Sequence, residues 1–332
     1  MLYILNYEIN ETFQHQDSER HKMQAGERLC QLFIIASQAV KVCRPGVTPL
    51  AVPDTTIVEF RPSESSIMYL FKEARWGTGE DWSEKVACEL CHLLGLPHVH
   101  YDLAIWKHRR GVVCPMFVPG DGQLVHGNEL LVHLLPGYPQ QQLFGVSEHT
   151  LEHVFAILQD VEIQMPIGWT PFTGIDAAVD VFVGYLIQDA WIGNTDRHHE
   201  NWGLVVHPQG THLAPSYDHA SSLGTHETDA NRYDRLTTRD TGRSMQRYVE
   251  RATSAFYASP ADTRPMSTLS AFEEAGRRRP RAAQAWIARL ECLSAQDIKA
   301  IFANIPSDRI SAVAKDFAIR MLALNSQRLL TR

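Results

Sequence analysis

Residues 175–193 (IDAAVDVFVGYLIQDAWIG) constrain the fold more than any other stretch, because they are apolar on nearly every side at helical spacing. Ala178, Val181, Phe182, Tyr185 and Leu186 fall on one side, and Val179, Val183, Ile187 and Ala190 on another. A helix without a polar face must be surrounded by protein, so the pattern predicts a large lobe built around this segment. Gly193 is its stop, and the polar loop Asn194-Thr195-Asp196 leaves directly from it. Two strand-like runs follow, 202–206 and 211–214, joined by the turn-rich His207-Pro208-Gln209-Gly210. A hairpin there returns the chain, and with it Asp218, to the loop that hangs from the buried helix.

That loop reads Asp196-Arg197-His198-His199-Glu200-Asn201, and the returning segment supplies Tyr217-Asp218. Phosphoryl transfer needs a carboxylate within reach of the attacking hydroxyl and, a few ångströms away, hard oxygen ligands that hold Mg²⁺ against nucleotide phosphates. Asp196 at the loop entrance would take or orient the hydroxyl proton. Asn201 at its exit would offer an amide oxygen to the metal, and Asp218 a carboxylate. Asp and Asn are also turn formers, so the hexapeptide alone leaves both readings open. The buried helix before it and the hairpin after it favour the catalytic one.

The runs Ile192-Gly193-Asn194-Thr195-Asp196-Arg197-His198-His199-Glu200-Asn201, Leu213-Ala214-Pro215-Ser216-Tyr217-Asp218 and Ser221-Ser222-Leu223-Gly224 resemble the C-terminal domain of HipA-like serine/threonine kinases, distant relatives of the phosphatidylinositol kinases. In that family the catalytic loop reads D-x-H-x-x-N and the metal-binding Asp follows a Tyr. The resemblance implies that Asp196 is catalytic, that Asn201 and Asp218 hold metal, and that His198 braces the loop. It covers residues 55–330 and is strongest over 185–224.

The amino-terminal half is then expected to bind the nucleotide. Ile67-Met68-Tyr69-Leu70-Phe71-Lys72 alternates as a strand, with Lys72 on the face of Met68 and Leu70 and able to reach phosphates. A helix is predicted over 81–94, with Val86, Leu90, Leu93 and Leu94 as its core stripe and Gly95 as its stop. Glu84 is either the partner of Lys72 or, through Asp81-Trp82-Ser83-Glu84, half of a capping box. The family's strand lysine, Ser-Glu helix start and Leu-Gly-Leu-Pro exit (Lys72, Ser83-Glu84, Leu94 to Pro97) favour the first. Strands are predicted at 99–106 and 111–118 around the basic turn Lys107-His108-Arg109-Arg110, and Cys114 to Val118 is the expected hinge, with Met116 and Phe117 beside the adenine. Arg61-Pro62-Ser63-Glu64-Ser65-Ser66 lies where a phosphate loop belongs, and Ser65 or Ser66 could cradle phosphate or serve as a plain surface turn. The resemblance adds that a serine in this loop can be autophosphorylated.

HipA toxins carry a further amino-terminal subdomain, for which the stretch before residue 55 is short; residues 18–44 are predicted as one or two helices and 45–53 as a linker. Residues 225–248 are polar and poor in aliphatic side chains, and are expected as a partly disordered substrate-receiving segment or an ordinary surface loop. Ser307 is the expected cap of a carboxy-terminal helix whose stripe is Ile310, Val313, Ala314, Phe317, Ala318, Met321 and Leu322.

At 332 residues and 44% hydrophobic content, with a mean hydropathy of -0.22, the chain can bury two cores. No apolar run reaches membrane-spanning length and the start does not read as a signal peptide, so a cytoplasmic protein is expected. Six cysteines are too sparse for a disulfide framework, and Cys88 and Cys91 are expected as core thiols. His198-His199 and the His149/His153 pair invite a metal reading, but no third ligand stands at convincing spacing. The net charge of -7 argues against a nucleic-acid surface, and Arg277-Arg278-Arg279-Pro280-Arg281 reads as a solvated helix end or as a dock for an acidic partner.

The expected fold is therefore α+β and two-lobed, protein-kinase-like, with residues 1–118 forming the small lobe and 119–332 the helical lobe. The expected activity is ATP- and Mg²⁺-dependent phosphorylation of a protein serine or threonine, with a toxin role and a small helix-turn-helix antitoxin as what the resemblance implies. A small-molecule or lipid kinase, and a nucleotide-binding pseudokinase, are the alternatives.

Overall fold

The computed structural model describes residues 68–331 and, by backbone alone, three further strand segments. Two of these, β1 (Glu19–Arg20) and β2 (Ile34–Ile35), pair antiparallel where the sequence predicts helices. β-branched Ile34 and Ile35 suit the extended backbone better. The third, β3 (Ile57–Phe60), joins β4 (Tyr69–Glu73), which is followed by α1 (Glu80–Leu94), β5 (Asp102–Trp106) and β6 (Arg109–Pro115). The strand order is β3-β4-β6-β5, antiparallel throughout. Lys72 stands opposite Val112, and its neighbour Phe71 points the other way into the core. β5 and β6 are closed by a two-residue turn, Lys107-His108, with both residues at positive φ, the backbone that matches the twist of a tight hairpin. The predicted strand over 99–106 starts only at Asp102, because the Val99 amide is taken by Ser216 O at 2.9 Å.

α1 is buried along most of its length, charges included. Each charge that the stripe of leucines did not explain has a partner: Asp81 takes Arg309 at 2.8 Å, and Lys85 takes Asp102 at 2.7 Å and Glu89 at 2.6 Å. Buried charges persist only when paired in this way.

Next come β7 (Gln123–His126), α2 (Gly127–Leu134), α3 (Leu151–Leu158) and β8 (Ile163–Gln164), then α4 (Ala178–Ile192), β9 (Gly203–His207) and β10 (Gly210–Leu213). The predicted hairpin is β9–β10, and it is the centre of a sheet in the order β7-β9-β10-β8. α4 is the predicted helix, buried at every position. Its start is held by Asp180, whose Oδ2 accepts the amides of Asp176 and Ala177 at 3.0 Å. A side chain at Gly184 would collide with Trp286 and Leu96, so the glycine lets the large indole lie across the helix.

α5 (Asp229–Thr237) and α6 (Met245–Glu250) follow, then α7 (Thr268–Arg278), α8 (Pro280–Glu291), α9 (Ala295–Ala303) and α10 (Ala312–Leu330). α7, α8 and α10 pack around α4. Two expectations change here. Residues 225–248 form two short helices capped by Thr228 and Ser244, since hydroxyl caps and a buried Arg232 supply the order that aliphatic residues do not. The last helix is capped by Ser311, which accepts the Ala314 amide at 3.1 Å, one turn beyond Ser307. The arginine run divides between two helices: Arg277 and Arg278 pair with Glu274, while Arg279 crosses to Asp180 at 2.6 Å. Among the described residues no helix is long and apolar enough to cross a membrane.

Candidate active site

α4 ends at Gly193 in the left-handed conformation, with φ of 62°. The turn throws residues 194–201 across the end of the helix. Asn194 bonds back to Asp189 through its amide at 2.9 Å and its side chain at 2.8 Å. Arg197 then locks the loop from below: Nε and Nη2 donate to the two oxygens of Asp189 at 2.8 and 2.7 Å, and Nη1 donates to Asn201 O at 3.0 Å. Both charged side chains are almost wholly buried. A planar guanidinium can hold carboxylate and backbone at once, so a buried ion pair fixes the loop's curvature. From the other side the start of α2 holds the loop, with the Asn128 amide on His199 O at 2.9 Å and Asn128 Nδ2 on Glu200 Oε1 at 3.0 Å.

Asp196 is thereby left with a partly open carboxylate above a buried base. Ser221 Oγ donates to its Oδ2 at 3.2 Å, and His198 Nε2 stands 3.8 Å from its Oδ1. The Glu200 amide donates to His198 Nδ1 at 3.2 Å, which puts the ring proton on Nε2, facing Asp196. Burial, and after it the charge of Asp218, push the Asp196 carboxyl up to about 6, against the pull of Ser221, Lys72 and Arg75. A carboxylate tuned toward neutrality is a better proton acceptor than an ordinary one.

Asn201 donates its Nδ2–H to Asp196 O at 2.6 Å, which leaves Oδ1 as an oxygen acceptor. Asp218 has φ of 58°, a left-handed backbone that turns its carboxylate back toward the loop. The two offer hard oxygens of the kind Mg²⁺ takes, so the donor set fits that ion. Lys72 forms an ion pair with Asp218. Burial opposes the charge on both, and the mutual attraction outweighs it, holding the Asp218 carboxyl below the usual range and the Lys72 ammonium above its own.

Glu84 does not cap α1, whose start has no side-chain cap; it makes no hydrogen bond to Lys72, though its charge, after that of Asp218, helps hold the Lys72 ammonium above its usual range. Its Oε1 accepts the His219 amide at 2.8 Å and His219 Nδ1 at 3.2 Å, while Oε2 is buried without a hydrogen-bond partner. His219 Nε2 in turn meets Ser216 Oγ at 2.7 Å. Two donors on one oxygen outcompete a lysine that already has Asp218. Glu84 thus supports the residue beside Asp218.

Of the expected adenine contacts, Phe117 stacks on Tyr217 with ring centroids 5.8 Å apart, which brings the hinge against the Tyr-Asp pair. The Met116 amide donates to Met68 O at 2.7 Å and is committed to the backbone. Ser65 and Ser66 lie outside the described residues. His199 bonds Tyr138 Oη at 2.7 Å, with burial lowering its ring to about 4. His149 accepts Trp202 Nε1–H at 3.1 Å and stacks on Phe256. Both rings are packed and hydrogen-bonded, and among the described residues neither histidine pair gathers a third ligand-type side chain. Sequence reasoning missed Arg197, Asp189, Asn128 and His219. Asp189 and Arg197 stand at helix-loop positions whose pairing depends on the turn at Gly193, and the buried polar Asp189 near the end of a mostly apolar helix was their signal.

No protein-family model matches the chain, and no curated protein matches it by sequence. Solved structures do. The chain is similar to the proinflammatory kinase CtkA of Helicobacter pylori, with a TM-score of 0.62, 19% identity and coverage of 84% of this chain and 92% of that one. It is also similar to HipA of Shewanella oneidensis MR-1, in a toxin–antitoxin complex with HipB and operator DNA, with a TM-score of 0.51, 12% identity and coverage of 88% and 67%. The fold is therefore two-lobed, α+β and HipA-like.

Proposed function

We propose that this chain is an ATP- and Mg²⁺-dependent kinase that transfers the γ-phosphoryl group to a serine or threonine hydroxyl of a protein. The observation that carries the reading is the placement of the Asp196 carboxylate on a buried Arg197–Asp189 lock, with Asn201 bonded to its backbone and the charge of Asp218 close by. Asp196 takes the acceptor's hydroxyl proton as that oxygen bonds to phosphorus and the bond to the nucleotide's bridging oxygen breaks. Lys72 offers its ammonium to the nucleotide phosphates, and Glu84 steadies the Asp218 segment through His219. Mg²⁺ held by Asn201 and Asp218 would neutralise charge on the phosphate oxygens.

The same reading divides the lobes near residue 118, because β6 ends the first sheet at Pro115 and β7 opens the second at Gln123. Incubation with γ-labelled ATP and candidate acceptors tests it: label moves to protein serine or threonine with the wild type and not with Asp196→Ala or Asp218→Ala. Label transfer unaffected by either change refutes it, and a labelled lipid or metabolite reassigns the acceptor. Autophosphorylation at Ser65 or Ser66 is read in the same experiment by mass mapping. HipA's complex with HipB and operator DNA supports an antitoxin partner, for which a small helix-turn-helix protein is the candidate, tested by co-purification with the product of an adjacent gene.

A further inference from the structure

Among the described residues, Cys88, His98 and His100 are the group of three whose ligand-type atoms all lie within 4.8 Å of one another. They take no part in the proposed transfer. Each is oriented by a partner on its far side. His98 Nδ1 stands 2.7 Å from Leu96 O and so carries the ring proton, leaving Nε2 with a free lone pair. His100 Nε2 faces Asp102 Oδ2 at 3.4 Å, and its Nδ1 faces Cys88 Sγ at 3.9 Å. Cys88 Sγ accepts the Tyr101 amide at 3.3 Å. Asp102 is itself fixed, its other oxygen taking Lys85 Nζ at 2.7 Å. Carbonyl–imidazole and carboxylate–imidazole pairs of this kind set tautomer and ring direction for a ligand histidine.

The sequence placement suits a metal as well. Cys88 projects from α1, and His98 and His100 share one face of the extended segment that follows Gly95. Zinc–sulfur and zinc–nitrogen bonds of about 2.3 and 2.0 Å put ligand atoms about 3.5 Å apart in a tetrahedron. The Cys88–His100 separation is 3.9 Å and all three ligand atoms lie within 4.8 Å, so the set contracts to that spacing by turning its rings, of which His100 is 57% exposed. His92, one turn after Cys88, lies edge-on to His98 with ring centroids 6.4 Å apart and outside the three-ligand cluster, so a water completes the coordination. One thiolate with two imidazoles selects a borderline-soft cation over Mg²⁺ or Ca²⁺.

We propose that Cys88, His98 and His100 form a structural site for a zinc-class divalent cation. The site joins α1, which carries Glu84 one turn earlier, to a segment clamped on Ser216 by the Val99 amide and the Ser216 amide, both at 2.9 Å. Ser216 is two residues ahead of Asp218. A cation here braces both sides of the cleft without entering it.

The full chain, purified without chelator and dialysed against Mg²⁺ buffer, is expected to hold equimolar zinc by elemental analysis. Replacement by Co²⁺ gives a thiolate-to-cobalt charge-transfer band with the visible bands of a four-coordinate ion. Cys88→Ser abolishes the charge-transfer band, and His100→Gln, at an exposed position, weakens cobalt binding by about tenfold or more. Cys292→Ser, at an exposed thiol, changes neither. Circular dichroism of each variant separates lost binding from lost folding, and no readout depends on phosphoryl transfer. Substoichiometric metal, or a charge-transfer band that survives Cys88→Ser in folded protein, overturns the site and leaves a hydrogen-bonded thiol.

Discussion

Asp196→Asn is expected to make the protein more stable while removing its activity. Ionising Asp196 costs the fold free energy, because its carboxyl is raised from 3.8 to about 6 by burial and by Asp218. At about 1.4 kcal/mol per pH unit the full cost is about 3 kcal/mol. With 26% of the side chain exposed, screening by solvent reduces that to about 2 kcal/mol. The direction follows from proton counting: between 3.8 and about 6 the folded state holds more of this proton than the unfolded state, so the wild type loses stability as pH rises through that window. Asn is isosteric, carries no charge, and keeps an oxygen for the Ser221 hydroxyl. Chemical denaturation without nucleotide or Mg²⁺ should therefore show the variant ahead by about 2 kcal/mol at pH 7.5, or on the order of 5 °C in Tm. The gap should close toward pH 4, where both proteins are neutral at this position. A variant no more stable than wild type at pH 7.5, or a gap that does not change with pH, refutes the electrostatic account of the loop.

The same carboxylate sets a pH profile: single-turnover phosphoryl transfer should fall on the acid side, because only ionised Asp196 accepts the proton, and the fall should lie below about 6 once Mg²⁺ on Asp218 offsets that carboxylate's charge. Arg197→Met should destabilise the protein by about 3–5 kcal/mol, since it leaves Asp189 buried and unpaired, and adding Asp189→Asn should restore part of that in a thermal melt. Lys72→Met should lower transfer by about a hundredfold or more, whereas Glu84→Gln, which keeps an oxygen for the His219 amide and has no bond to Lys72, should cost about tenfold or less. Equal losses in steady-state assays of these two variants would restore a direct Lys72–Glu84 pair.

The large lobe was legible because its information is local in sequence. An all-apolar helix, a glycine stop, a five-residue Asp–Asn spacing and a two-strand return each occupy a few consecutive residues, and the structure assembles them in that order as α4, the 194–201 loop and β9–β10. The small lobe was harder for a physical reason. Whether Glu84 caps α1, pairs with Lys72 or serves His219 depends on how α1 is rotated and tilted. That orientation is set by Asp81 on Arg309, Lys85 on Asp102 and Ser83 on Ser222, partners between 17 and 228 residues away. No window of sequence contains such a decision. The same holds for Cys88, whose neighbours His98 and His100 look unremarkable as a spacing until the turn at Gly95 folds them against the helix. Local pattern therefore fixes where Asp196, Asn201 and Asp218 stand, while long-range ion pairs of α1 decide how the opposite wall of the cleft meets them. Substitutions in those ion pairs should accordingly alter nucleotide affinity before they alter the tuning of Asp196, whose main cause is burial within its own lobe.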